Sequence, residues 1–289
     1  MYEFLVKIGE TKERYPIQYH DNGEATVDNE SEKEKWVLTT PFIRYKSYDS
    51  LKDDLVWDLS GAYCAIIIVH LMERCDLPPE VGDVDAGVIS FNAVLRNWEE
   101  TDACKEIKTT LSSLTLDYKI TRIIGMACGP FTKTSQYNGS SRSAIQNAFL
   151  VSLKKLLEES HLGSDDVNCY AQDPAYSQTD QAILNRSGIE VMDDPDGFLQ
   201  IDDTSLVFSC GPNICVKEVV TEIARPTILM WCAVRDESPK HRMTDPDSPR
   251  VREMINNEYD RFPFPEDNGD NFTTMAIYVK KTARVSLAD

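Results

Sequence analysis

The feature of the sequence that most restricts its fold is a regular alternation of short apolar segments and amphipathic segments over residues 117–234. The apolar segments have the character of buried strands and cover residues 120–128, 167–171, 188–192, 205–209 and 226–234. The segments between them carry apolar residues at helical spacing and cover residues 140–159, 177–187 and 216–224. Strands that alternate with helices over short connections favour right-handed βαβ units. The sequence therefore predicts an α/β domain with a Rossmann-like, doubly wound, mostly parallel sheet and helices on both faces.

Residues 1–116 are predicted to form an N-terminal helical extension that packs on this core. Residues 51–59 and 89–114 carry apolar residues at the spacing of amphipathic helices, and Asp49 or Ser50 can cap the first of them. Nothing in this stretch indicates chemistry.

Residues 117–289 are predicted to form a single domain around the sheet. Ser248 is the cap of a helix over residues 249–259, which has proline at its first position. A loop rich in proline and aspartate follows over residues 261–271. Residues 272–279 alternate like a strand and are predicted to add an edge to the sheet.

Composition excludes several classes of protein. The chain has 289 residues, of which 42% are hydrophobic, enough to bury a core. Its formal net charge of −18 disfavours a general nucleic-acid coat protein, because phosphate binding needs a cationic surface. Apolar runs are too short to cross a bilayer, and the N-terminus lacks the pattern of a signal peptide. We therefore expect a cytoplasmic protein.

Cysteines and histidines are scattered along the chain rather than clustered. The eight cysteines form no CxxC pair, and the four histidines show no spacing typical of metal ligands. We expect free and mostly buried thiols, no metal site and no cofactor.

Candidate site residues follow the predicted strands, because ligands of open α/β sheets bind beyond the carboxyl ends of the strands. After the first strand, Gly125 and Gly129 can bring a ligand close to the backbone or form a tight turn. Cys128 has no histidine nearby in sequence to activate it, which favours a buried thiol over a nucleophile. Before the first helix, Ser140 and Ser141 offer hydroxyls or a helix cap.

Charged and polar side chains continue this pattern at the first helix and after the second strand. Arg142 lies in the first turn of the helix, where a cation is unfavourable for the helix dipole. Such a cation is expected to face a carboxylate or an anionic ligand. After the second strand come Asp173, Tyr176 and Asp180, and Asp173 is placed either to contact a ligand or to cap the next helix.

The loops after the third and fourth strands are also polar. Asp193 and Asp194 belong to an acidic cluster that can hold a guanidinium or ammonium group, or form a solvated turn. Ser209 and Asn213 offer small polar groups after the fourth strand.

Taken in order, these strand ends resemble the sensitivity-to-red-light-reduced (SRR-like) domain family, in its filamentous-fungal branch. The resemblance rests on residues 172–180, 188–191, 194–198 and 209–213, and extends to the tail over residues 245–262. In that family the first strand more usually ends in a Gly-x-Gly-Ser-like turn. Here the corresponding residues are Gly-Met-Ala-Cys, so the serine is missing.

The resemblance implies two kinds of protein. Plant, animal and yeast members of the family are regulatory proteins without an established reaction. Fungal proteins associated with the fold are arginine-containing cyclodipeptide synthases, which consume arginyl-tRNA and a second aminoacyl-tRNA and release a diketopiperazine. An arginyl substrate needs a carboxylate pocket, whereas the net charge of the chain repels tRNA unless basic residues gather on one face.

We therefore expect a cyclodipeptide synthase, with a non-enzymatic regulatory or scaffold protein as the alternative and a nucleotide- or methyl-donor-dependent enzyme as the third possibility. The candidate catalytic residues are Ser140, Ser141, Tyr176 and Asp173. The candidate substrate-binding residues are Gly125, Cys128, Gly129, Arg142, Asp180, Asp193, Asp194, Ser209 and Asn213. An open acidic pocket at the strand ends favours the synthase, and a pocket filled by Phe131, Tyr176 and Phe198 favours the scaffold.

Overall fold

The chain divides into two compact units, which we call the N-terminal unit (Met1–Arg44 and Ile66–Glu80) and the sheet unit (Tyr45–Ala65 and Val81–Asp289). A computed structural model describes residues 3–8, 11–19, 24–27, 35–38, 42–57, 61–69, 72–74, 82–132, 141–236, 243–267 and 271–283. No helix among these residues is long and apolar enough to cross a membrane.

The N-terminal unit contains strands where the sequence predicts a helical extension. Its strands are β1 (Glu3–Ile8), β2 (Thr11–Tyr19), β3 (Glu24–Val27), β4 (Lys35–Leu38), β5 (Phe42–Tyr45), β6 (Ile66–Val69) and β7 (Met72–Arg74). An antiparallel sheet runs in the order β1-β2-β3-β4-β7, and β5 pairs with β6. In β2, Tyr15, Ile17 and Tyr19 occupy alternate positions, which is the period of a strand and not of a helix. The prediction of a helical extension over residues 1–116 is corrected for this part.

Helices do form at the start of the sheet unit. They are α1 (Tyr48–Trp57), α2 (Val84–Glu100) and α3 (Asp102–Ser112). The single helix predicted over residues 89–114 is interrupted at Thr101, whose Oγ1 accepts the N–H of Cys104 while its own N–H donates to the Trp98 carbonyl. Thr101 therefore ends α2 and caps α3. The predicted boundary after residue 116 falls inside the sheet unit.

A seven-stranded sheet forms the centre of the sheet unit. Its strands are β8 (Ile120–Met126), β9 (Gly163–Gln172), β10 (Glu190–Val191), β11 (Ser205–Ser209), β12 (Ile228–Cys232), β13 (Tyr259–Pro263) and β14 (Met275–Lys280). The order is β10-β9-β8-β11-β12-β14-β13; the first five strands are parallel, and β14 is antiparallel to both of its neighbours, β12 and β13. This confirms the predicted α/β class with a mostly parallel sheet. The predicted edge strand, β14, lies inside the sheet, and β13 covers it at the place where the sequence predicts a helix end and a loop.

Apolar side chains cover the sheet on both faces. Its helices are α4 (Ser141–Glu159), α5 (Gln178–Arg186), α6 (Asp196–Leu199), α7 (Val216–Ile223) and α8 (Pro249–Glu258). Ile123 and its neighbours on the same face pack with residues of α2 to α5, whereas Ile124 and its neighbours pack with residues of α6 to α8. Successive residues of a strand point to opposite faces, so these two clusters are two separate helical layers.

The strand order brings the loops that carry the candidate residues to one side of the sheet. β8 lies in the middle of the five parallel strands, with β9 on one side and β11 on the other. We call the side where β8 to β12 end the carboxyl edge. It comprises the loops over residues 127–131, 173–177, 192–195, 210–215 and 233–236.

Candidate functional site at the carboxyl edge

The loop after β8 is held in place by a carboxylate from the loop after β9. The N–H of Gly129 donates to Asp173 Oδ2 at 2.7 Å, and the N–H of Ala175 donates to Asp173 Oδ1 at 2.9 Å. Gly129 has a φ of +79°, in the left-handed region that favours glycine. Burial raises the pKa of Asp173, and the two N–H donors oppose that shift. Asp173 therefore positions the glycine turn with Oδ2 and orders its own loop with Oδ1.

Asp180, a predicted substrate-binding residue, is fully buried and bonded to the chain around it. Its Oδ1 accepts the N–H of Phe131 at 3.2 Å and of Thr132 at 2.8 Å. Its Oδ2 accepts the N–H and the hydroxyl of Ser177 at 2.9 and 2.7 Å, which completes a capping box at the start of α5. The structure corrects the prediction, because Asp180 fixes the loop after β8 to α5 and has no surface for a substrate.

Tyr176 and Cys128 are enclosed as well. The Tyr176 side chain is 6% exposed, and its hydroxyl donates to Asn147 Oδ1 at 2.6 Å. Burial raises the pKa of Tyr176 and of Cys128 well above their usual values. A substrate cannot reach either group in this arrangement, which corrects the catalytic role predicted for Tyr176. The thiol of Cys128 is buried, which agrees with the prediction made from the absence of a neighbouring histidine in the sequence.

The loop after β10 is bonded to the end of β9. Asp194 Oδ1 accepts the Tyr45 hydroxyl at 2.9 Å and the Gln172 side-chain amide at 2.8 Å. The N–H of Gly197 donates to Gln172 Oε1 at 2.7 Å. Asp193 is exposed beside this network. Of the two predicted carboxylates, Asp194 orders the loop and Asp193 faces solvent.

The remaining predicted residues differ in their surroundings. Gly125 lies against α4, where a Cβ atom would come within 2.4 Å of Leu150 Cδ1, so glycine here permits close packing of helix on strand. Ser209 is buried, and its hydroxyl oxygen lacks a hydrogen-bond partner within the described ranges. Exposed positions are taken by Ser141, Arg142 and Asn213. Ser140 lies outside the described residues.

The carboxyl edge above β8, β9 and β10 is filled by side chains. Tyr176 and Phe198 are buried, and the ring of Phe131 packs on Phe91 with centroids 5.2 Å apart. The carboxylates of Asp173 and Asp180 accept backbone N–H groups in the same region. The two carboxylates and the three rings of this part of the edge are therefore engaged with the chain itself.

A cavity of about 160 Å³ lies instead at the ends of β11 and β12. Its wall includes Lys217, Cys232, Arg235, Thr244, Asp245 and Asp247. Lys217 belongs to the first turn of α7, and the two aspartates come from the segment before α8. Elements distant in sequence thus meet at one side of the carboxyl edge.

The charged groups of this cavity form a buried cluster. The N–H of Lys217 donates to Asp245 Oδ1 at 2.9 Å, and its ammonium pairs with Asp247 Oδ1. Asp247 Oδ2 accepts the N–H of Arg235 at 3.1 Å. Asp245 Oδ2 is 3.9 Å from the ammonium, beyond hydrogen-bond distance. The cluster joins two carboxylates to one ammonium, and Asp245 Oδ2 is the oxygen that is least engaged.

Burial raises the pKa of Asp245 to about 7, although the Lys217 ammonium and the Lys217 N–H both act in the opposite direction. Burial therefore favours the protonated carboxyl of Asp245, and both Lys217 groups favour the carboxylate. Within the described ranges, no group of three or more His, Cys, Asp or Glu side chains is arranged to hold a metal ion.

Sequence reasoning missed Lys217, Asp245 and Asp247 as site residues. The two aspartates are separated by a single residue and follow the last parallel strand. Acidic residues after a strand are the same signal that identified the earlier loops. Lys217 lies in a predicted amphipathic helix, where a lysine is normally exposed. Its burial of 97% follows from the two carboxylates that the fold brings to it.

We expect Asp180→Ala to lower the free energy of unfolding by about 2–4 kcal/mol, because it leaves buried N–H donors without an acceptor. Chemical denaturation measures this loss. Asp193→Ala is the matched control, since that carboxylate is exposed, and its effect should stay within about 0.5 kcal/mol. An Asp180→Ala protein as stable as the wild type would contradict the anchoring role.

The Asp245→Asn variant tests the buried cluster through the pH dependence of the free energy of unfolding. Since the pKa of Asp245 is about 7 in the folded chain and about 3.9 in an unfolded one, the folded state holds a proton that the unfolded state releases between these values. The stability of the wild type relative to Asp245→Asn should therefore fall as pH rises through this window, by at most about 1.4 kcal/mol per pH unit. Denaturation at several pH values measures the difference. A difference from wild type that is independent of pH would refute this account, and Asp165→Asn, an exposed carboxylate, serves as the control.

Comparison with known proteins places the chain in a family. The SRR1 domain matches residues 107–279, which is more than half of the chain and contains nearly all of the seven-stranded sheet. A crystal structure of a Corynebacterium glutamicum protein, a structural genomics target, is similar at 14% identity and a TM-score of 0.38, covering 72% of this chain and 94% of that one. The curated proteins contain no match. The chain belongs to the SRR1 domain family.

Proposed function

We propose that this chain is an aminoacyl-tRNA-dependent cyclodipeptide synthase that makes an arginine-containing diketopiperazine. The observation that carries the proposal is the cavity at the ends of β11 and β12, because two carboxylates form part of its wall. We also infer a Rossmann-like, doubly wound sheet, which the order of the five parallel strands supports. In such sheets ligands bind at the carboxyl edge, where the cavity lies.

The arginyl side chain is proposed to enter this cavity with its guanidinium toward Asp245. A guanidinium is always charged and is best held by a carboxylate. Lys217 neutralises Asp247, which leaves Asp245 Oδ2 as the acceptor for the substrate. A volume of about 160 Å³ suits one side chain rather than a larger ligand. The proposed guanidinium site thus moves from the loops after β9 and β10 to the loop after β12.

The reaction needs an acyl acceptor as well as a guanidinium site. Ser141 is exposed at the N-terminus of α4, where backbone N–H groups can stabilise a developing oxyanion. In the proposed sequence the Ser141 hydroxyl takes the first aminoacyl group and its tRNA leaves. The amine of the second aminoacyl-tRNA then attacks that ester and releases the hydroxyl. Ring closure follows when the free amine of the dipeptidyl group displaces the second tRNA.

An acidic chain also needs a local cationic surface for tRNA. Arg235 and Arg261 are exposed and contribute to the wall of a second cavity, of about 470 Å³. Arg235 and Ala233 belong to both cavities. The two guanidinium groups therefore offer partners for backbone phosphates of an acceptor end whose arginyl group occupies the smaller cavity.

The non-enzymatic scaffold is the second candidate, and one observation favours it. The edge above β8, β9 and β10 is filled by Tyr176 and Phe198, and its carboxylates bond to backbone N–H groups. The nucleotide- or methyl-donor-dependent enzyme has less support, because the N–H of Gly129 is occupied by Asp173 and Gly125 faces Leu150. That loop offers no cradle for a phosphate.

Mass spectrometry of metabolites from cells that express the chain tests the proposal. Wild-type cells should accumulate an arginine-containing diketopiperazine. Asp245→Asn should lower its amount roughly ten- to hundredfold, because a charge-assisted hydrogen bond to the guanidinium is lost. Asp165→Asn, which changes an exposed carboxylate near the start of β9, should leave the amount unchanged.

The outcomes separate the candidates. Absence of the product from wild-type cells and from purified protein given charged arginyl-tRNA would exclude the synthase and favour the scaffold. Product that survives Asp245→Asn at the wild-type level would keep the synthase and reject Asp245 as the guanidinium partner. Thermal unfolding of each variant controls for loss of the fold.

A further inference from the structure

Two cysteines stand side by side where β11 and β12 end. Ser209 pairs with Trp231 in parallel register, so Cys210 follows next to Cys232. Neighbouring strands are about 4.8 Å apart, which falls in the range of about 4.4–6.8 Å between Cα atoms that a disulfide bridges. Phe208 and Met230, two residues earlier on each strand, share one face of the sheet. The two thiols therefore project to the same face.

A single hydroxyl lies between the two sulfur atoms. Thr273 Oγ1 is 3.7 Å from Cys210 Sγ and 3.1 Å from Cys232 Sγ. Thr273 is exposed, so solvent reaches the place where the two thiols meet. The distance between the two sulfur atoms is therefore no greater than the sum of these two distances.

Each sulfur also receives a backbone N–H. Gly211 donates to Cys232 Sγ at 3.3 Å, and Thr273 donates to Cys210 Sγ at 3.4 Å. Burial raises the pKa of Cys210, and the hydrogen bonds from Thr273 oppose that shift. The thiolate is the nucleophile of thiol–disulfide exchange. Cys210 is 6% exposed, whereas Cys232 is half-buried and forms part of the cavity wall. Access therefore favours Cys232 as the first sulfur to react.

We propose that Cys210 and Cys232 are a redox-active pair that closes to a disulfide by exchange with a low-molecular-weight disulfide such as glutathione disulfide. The Cys232 thiolate attacks one sulfur of the oxidant, a mixed disulfide forms and one glutathione thiolate leaves. The Cys210 thiolate then attacks Cys232 Sγ and displaces the second glutathione. The two leaving glutathione thiolates take up the protons that the two cysteines give up, so the protein pair is oxidised and the glutathione disulfide is reduced to two glutathione thiols.

The bond would alter the cavity at the ends of β11 and β12. Cys232 is part of the cavity wall, and Thr273 loses its contact with both thiols when the sulfur atoms join. Oxidation would therefore change the wall of the cavity at Cys232 and leave its charged side chains unmodified. The inference does not depend on which ligand the cavity takes.

The test uses the folded chain of 289 residues in a glutathione redox buffer, followed by an acid quench and intact mass measurement. The wild type should lose the mass of two hydrogen atoms, and dithiothreitol should restore it. Trypsin cuts the chain into peptides 187–217 and 218–235, and these should be found joined. Cys210→Ser and Cys232→Ser should each abolish the joined peptides.

Cys215→Ser is the matched control, because Cys215 lies in the same tryptic peptide as Cys210. This variant should still form the link, which assigns it to Cys210. A mass that does not change in the oxidising buffer, a glutathione adduct that remains on Cys232, or a link that requires Cys215 would each overturn the proposal. Metabolite production plays no part in this readout, so failure here is distinct from failure of the synthase.

Discussion

The parallel pairing of β8 with β9 and β11 is the constraint on which the carboxyl edge depends. Ile123 and Ile124 pack to opposite faces of β8, so the strand is enclosed by helices on both sides. Parallel neighbours end on the same side of a sheet, and this alone brings together loops that are far apart in sequence. If the central strand β8 were antiparallel to its neighbours, the loop that follows it would lie at the opposite edge of the sheet. The contacts of Asp173 and Asp180 with the loop after β8 would then be lost.

Buried carboxylates at such an edge accept hydrogen bonds from backbone N–H groups, and only the remaining oxygens can bind a ligand. A backbone N–H buried without an acceptor costs free energy comparable to a lost hydrogen bond, and loops after parallel strands contain many such groups. Asp173 and Asp180 accept them, which explains why two predicted site residues are occupied. An acidic residue after a strand is therefore ambiguous in sequence. The fold decides whether it faces the chain or a cavity.

The sequence predicts the sheet and its helices well and the site less well, for one physical reason. Strands such as 205–209 and caps such as Ser248 depend on local patterns of burial and hydrogen bonding, and they form as predicted. Lys217 becomes buried because Asp245 and Asp247 reach it from a distant segment, which no local pattern records. β13 was missed for a similar reason, since its strand conformation depends on pairing with β14.

The Lys217 cluster explains why the cavity wall contains two carboxylates beside one ammonium. A lysine in the first turn of α7 is unfavourable for the helix dipole, and a buried ammonium loses its hydration. Both effects require carboxylates nearby, and two are present where one would neutralise the charge. The second carboxylate, on Asp245, is left with an oxygen that the cluster does not use and with a pKa raised to about 7 by burial. A cationic ligand would favour the ionised form of that carboxylate, so binding of a guanidinium and release of the Asp245 proton must be linked.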